Sequence, residues 1–171
     1  MKTKTSTLAL AALLTGLAAV PGESAVLPPD GATTYVAEAV GRVIDVSQDG
    51  KGAVETVVEV AGTTRNTLGQ SIFDKMKANC LITFTSDETS SSPVGACRET
   101  DADGDTLFTS FDGRAGKLLG GTGKYAKLTG SAVFSLTPEP VAEAGKVAFS
   151  VKHEVAWGLS KLALAPRDAQ P

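Results

Sequence analysis

The feature that most constrains this chain is alternation. Between Lys146 and Trp157 the residues Val147, Phe149, Val151, His153, Val155 and Trp157 fall on one face, and Ala148, Ser150, Lys152, Glu154 and Ala156 on the other. The run Ala53 to Val60 divides the same way, with Val54, Thr56, Val58 and Val60 opposed to Glu55, Val57 and Glu59. A polarity period of two in β-branched segments is the mark of half-buried strands. Further runs of this kind are expected at Thr33 to Val46, Asn79 to Thr85, Val94 to Thr100, Thr106 to Asp112 and Ala126 to Leu136. Stretches rich in Gly, Asp, Ser and Pro separate them: Asp87 to Pro93, Asp101 to Asp105, Gly113 to Gly123 and Thr137 to Gly145. No long amphipathic helix follows the N-terminal region; Ser71 to Ala78 has room for one helical turn. Short strands with turns between them specify an all-β sandwich or barrel.

The N-terminus carries a different instruction. Lys2 and Lys4 precede an apolar run from Leu8 to Val20, which Pro21 and Gly22 break ahead of Ser24 and Ala25. That order of charge, apolar core and small residues is a secretory signal, and the apolar run falls short of the roughly 20 residues a spanning helix needs. The expected organisation is a signal peptide over 1–25, a β-barrel domain over 26–165 and a disordered tail over 166–171, with the protein secreted or periplasmic and without a membrane span. A formal charge of −3 and the lack of any basic run argue against nucleic acid as a partner.

Cys80 and Cys97 are the two cysteines of the chain. In an exported protein such a pair is expected to be a disulfide. Geometry supports this independently. If Asn79 to Thr85 and Val94 to Thr100 form a hairpin whose loop centres between Glu88 and Thr89, Cys80 lies directly opposite Cys97, and a shift of one residue would put the sulfurs on opposite faces.

Motifs that could carry chemistry fail on inspection. Gly120-Gly-Thr-Gly-Lys-Tyr125 resembles a phosphate loop, but Leu118 stands where the first glycine belongs and Tyr125 where Ser or Thr is required. It reads as a tight turn leading into a strand. Asp101-Ala-Asp-Gly-Asp105 begins like a calcium loop, but Thr106 replaces the required Gly and Asp112 the usual Glu, so it reads as a solvated acidic turn. Glu55 and Glu59 form a solvated face. Neither a Gly-x-Ser-x-Gly nucleophile motif nor a metal-ligand set is present, and no metal or cofactor is expected. His153 has two readings: a hydrogen-bonded core histidine, or a group facing a cavity in a closed barrel. The candidate cavity residues are Phe134, Phe149, Val151, His153 and Trp157, with Phe134 and Trp157 also fitting plain core.

The stretch from Gly120 to Phe134, with its glycine turn and Gly130 in mid-strand, resembles the signature of the allene oxide cyclase and dirigent group, which exported bacterial proteins of the same barrel type also carry. The resemblance covers about 15 residues closely and implies a single antiparallel eight-stranded β-barrel; a lipocalin-like barrel or a sandwich is the alternative. Plant members cyclise an unsaturated fatty-acid epoxide or steer phenoxy-radical coupling. Their catalytic residues have no motif to land on here, so no catalytic residue is assigned. The first functional reading is a non-enzymatic exported protein that binds a small apolar molecule in the barrel. The alternatives are an isomerase, cyclase or dirigent-like coupling guide, and a structural envelope-associated domain with a filled interior.

Overall fold

The computed structural model of the protein describes residues 27–86 and 90–159. The expected signal peptide at 1–25 and tail at 166–171 lie outside the described residues. Eight strands follow one another in chain order: β1 Asp30–Gln48, β2 Val54–Asn66, β3 Lys77–Ser86, β4 Ser91–Thr100, β5 Thr106–Asp112, β6 Ala115–Gly121, β7 Leu128–Glu139 and β8 Lys146–Leu159. Each pairs antiparallel with the next, and β8 returns to pair with β1 from Asp30↔Gly158 to Arg42↔Lys146, which closes the barrel. Closure leaves no unpaired sheet edge and rules out the sandwich.

The alternation works as expected where it is cleanest. On β2, Val58 and Val60 are buried while Glu55 and Glu59 are exposed. On β8, Phe149, Val151, Val155 and Trp157 are buried while Lys152, Glu154 and Ala156 are exposed. The β3–β4 hairpin takes the expected register, with Cys80 opposite Cys97. The two form a disulfide with their Cα atoms 4.1 Å apart. At Gly130 a Cβ would collide with the Ala156 carbonyl and press on the Trp157 backbone, so only glycine lets β7 and β8 approach so closely.

Three local readings need correction. Gly113 to Gly123 is not all turn: β6 occupies its centre. Its three glycines depress strand propensity, but inside a closed barrel β5 and β7 supply pairing partners on both sides, and tertiary context decides. The glycine turn is shorter than expected, with Gly120 and Gly123 at positive φ, and a 3₁₀ turn at Gly123–Tyr125 delays β7 until Leu128. Ser71 to Ala78 holds no helical turn. Bends and turns there lead into β3 and drive Ile72, Phe73 and Met76 into the end of the barrel. Asn66 organises this plug. Its side-chain amide donates to the Ile72 carbonyl (2.9 Å) and to Thr33 Oγ1 (2.8 Å), and its Oδ1 accepts from the backbone of Leu68 (2.8 Å). Thr64 pins the plug's exit by accepting at Oγ1 from the Met76 N–H. These bonds hold Phe73 and Lys75 at positive φ, a conformation L-residues seldom adopt.

The interior therefore has two parts. At the end that carries the β2–β3, β4–β5 and β6–β7 connections, the plug packs with Leu107, Leu118, Tyr125, Leu128 and Trp157 into a solid core. Toward the other end, Val58, Val60, Ile82, Phe134, Phe149 and Val151 line a looser apolar wall.

Candidate ligand cavity

A cavity of about 80 Å³ lies inside the barrel above the plugged end. Small inward residues make room for it: Ala37 and Ala39 on β1, Gly62 on β2, Ala78 on β3, Gly116 on β6 and Ala132 on β7. Apolar side chains supply most of the wall, including Ile82, Phe84, Phe111 and Leu136, and the Cys80–Cys97 disulfide forms part of it. The volume is small beside the 300–1,000 Å³ of common ligand pockets, so it suits a slender molecule or the end of a longer one.

Of the residues singled out from the sequence, Phe134, Phe149, Val151 and His153 line this cavity. Trp157 does not. It lies at the plugged end, across Gly31, where a Cβ would run into its ring, and edge-on to Phe73 at 5.8 Å. His153 fits neither of its two readings in pure form. It stacks on Tyr35, with ring centroids 4.4 Å apart and 9° between planes, and leans against Phe134 at 5.8 Å. Both contacts follow from register, since Tyr35 on β1 and Phe134 on β7 are its direct neighbours. No hydrogen bond reaches its imidazole from the described residues, and burial pushes its pKa down to about 4, so the ring is neutral at ordinary pH.

The residue that sequence reasoning missed is Glu99. It is 4% exposed and faces inward from β4. One carboxyl oxygen, Oε1, accepts a hydrogen bond from Thr109 Oγ1 at 3.2 Å. The other, Oε2, is buried with no hydrogen-bond partner among the described residues. Burial pushes the Glu99 pKa up to about 7, with the Thr109 bond opposing it. Burial, reinforced by the nearby Glu99 charge, holds the Tyr35 phenol well above its ordinary value. The cavity floor thus joins Tyr35, Glu99, Thr109 and His153 beneath an apolar wall. A signal for Glu99 was present: Gly95, Cys97 and Glu99 share one face of β4, so an inward Cys97 brings Glu99 inward as well.

The two look-alike motifs meet each other at the plugged end. Lys124, from the glycine turn, places its ammonium 2.6 Å from both Asp101 and Asp103 of the acidic turn. Asp101 Oδ1 also accepts from the backbone of Asp103 (2.9 Å) and Asp105 (3.0 Å), closing the turn. The Asp101 side chain is 9% exposed, so the turn is not fully solvated as expected, and a lysine ammonium sits where a calcium loop would hold its cation. Burial alone would lower the Lys124 pKa, but the Asp101 and Asp103 carboxylates outweigh it and hold the ammonium above its usual range. Lys124 is thereby spent on structure and is not presented to a phosphate.

No family model matches the chain, and no curated relative does. Among solved structures it is similar to two pterocarpan synthase dirigent proteins. PsPTS1 has a TM-score of 0.47 and 17% identity, with 79% of this chain and 99% of that one covered. GePTS1 has a TM-score of 0.42 and 16% identity, with 80% and 90% covered.

Proposed function

We propose that the protein is an exported binding protein whose barrel takes a small, mainly apolar molecule carrying one polar group. The observation that carries this reading is Glu99 Oε2, a buried carboxyl oxygen left without a partner at the floor of an otherwise apolar cavity. Leaving such a group unpaired costs about 1–3 kcal/mol. A fold that served only as a structural domain would gain by filling the space with hydrocarbon, whereas a ligand's polar end would satisfy the oxygen. Export is supported by the N-terminal pattern and by the Cys80–Cys97 disulfide, a bond that persists in oxidising compartments.

Titration of the disulfide-bonded protein with hexanol, followed by amide chemical shifts, tests the reading. Saturable shifts are expected at residues around Glu99, Phe134 and His153. They should be lost in Ala39→Leu, which fills the wall. Absence of saturable binding, or binding unchanged in Ala39→Leu, would overturn it.

A second reading, an isomerase or cyclase, draws on the same residue. A carboxyl that titrates near neutral pH is suited to donate and recover a proton. Glu99→Gln would then abolish turnover while the ligand still bound.

A further inference from the structure

We propose that the cavity selects a small aliphatic amine, whose ammonium group pairs with the Glu99 carboxylate while its chain lies along the apolar wall. The inference rests on the binding reading above and specifies the ligand's polar end.

The charge balance of the floor leads to it. Glu99 is buried with one oxygen unpaired among the described residues, and none of their cationic groups forms an ion pair with it. β1 contributes Tyr35, β2 Thr64, β5 Thr109, β7 Phe134 and β8 His153. His153 stays neutral above about pH 4, and the Tyr35 phenol stays protonated because burial holds it high. Lys117 of β6 touches the cavity's lining, but the residue is exposed and Leu118 is the one that turns inward. β3 presents Ala78 and Cys80, the latter bonded to Cys97 of β4. The floor is therefore neutral or singly negative across the ordinary pH range.

Three ligand ends can be compared against that floor. A carboxylate would meet a like charge in a poorly solvated space, which is strongly unfavourable. A hydroxyl would give Oε2 one hydrogen bond but leave the buried charge uncompensated. An ammonium would supply both the missing opposite charge and a hydrogen bond in which donor and acceptor are both ionised. An ammonium pairing only with ionised Glu99 also links binding to proton release from that residue.

The experiment compares hexylamine, hexanol and hexanoate by amide chemical-shift titration of the disulfide-bonded protein at pH 6 and pH 8. Hexylamine should bind most tightly at pH 8. Its affinity should fall about tenfold at pH 6, because the ionised fraction of a carboxyl with pKa about 7 falls about tenfold between those values. In Glu99→Gln, hexylamine should bind no better than hexanol. The pH pair on the unmodified protein decides the matter even if that variant fails to fold. Hexanol or hexanoate matching hexylamine at pH 8, or equal amine affinity at both pH values, would overturn the amine inference and leave the barrel-binding reading standing. Failure of all three to bind would overturn both.

Discussion

Replacing Glu99 with Gln should change how the protein's stability depends on pH. The Glu99 carboxyl titrates near 4.5 in an unfolded chain and near 7 in the fold. Between those values the folded state keeps a proton that the unfolded state has released. Stability from this residue is therefore fully present below about pH 4.5 and is lost as pH rises through 7, where an ionised carboxylate must stay buried. At about 1.4 kcal/mol per pH unit of separation, the whole swing is about 3 kcal/mol, most of it between pH 5 and pH 8. His153 acts in the opposite sense. It titrates near 6.5 when unfolded and near 4 in the fold, so its contribution is lost as pH falls through that interval. The two slopes oppose each other between about pH 4.5 and 6.5, and the native protein should be nearly level there before losing stability toward pH 8. In Glu99→Gln the histidine slope stands alone: stability should climb from pH 4 to 6.5 and then stay constant. The amide leaves its own donors at the floor, so the informative quantity is the change in the stability difference with pH, about 2–3 kcal/mol in favour of the variant on going from pH 5 to pH 8. Urea unfolding, followed by the fluorescence of the single tryptophan with the disulfide oxidised, measures it directly, since Trp157 is buried in the plugged core. Parallel stability curves for the two proteins from pH 5 to pH 8, within about 0.5 kcal/mol, would show that Glu99 titrates as an ordinary carboxyl and would refute its burial at the cavity floor.

His153→Gln should reveal the other half of this balance, with stability falling from pH 4.5 to 7 in the same urea assay; a level curve would mean that Glu99 carries no slope. Replacing both Cys80 and Cys97 with Ser should cost about 3 kcal/mol, as expected for a bond closing a short loop, and peptide mapping without reductant should recover the Cys80–Cys97 pair from the native protein. Lys124→Met strands the largely buried Asp101 carboxylate and should lower stability by about 2 kcal/mol at pH 7, with the loss shrinking in acid as Asp101 protonates; a loss that does not depend on pH would point to packing instead of the ion pair.

The features legible in the sequence are those that depend on strand alternation or on a single adjacent strand. The split faces of β8 and the register that sets Cys80 against Cys97 each follow from strand geometry and one adjacent strand. The features that escaped depend on distant parts of the chain. β6 is a strand because β5 and β7 hold it, despite Gly116, Gly120 and Gly121. The segment bearing Ile72, Phe73 and Met76 shows no period because it follows no regular element; it is shaped by Asn66 and Thr64, which sit on β2.

Glu99 is the instructive case, because it was hidden by its chemistry and not by its position. A charged residue at the end of a strand is ordinarily read as exposed, since an isolated buried carboxylate is costly. In a closed barrel, however, parity around each strand is set once and then propagates. The Cys80–Cys97 bond faces the interior, and that fixes which residues of β4 point inward. Two positions further along, the same parity delivers Glu99 to the interior whatever its charge. The next inward position across the ladder is Leu107, which offers no hydrogen-bonding group, while Thr109 reaches only one of the two oxygens. The fold therefore holds a buried carboxyl with one oxygen unpaired among the described residues, at the floor of an apolar cavity.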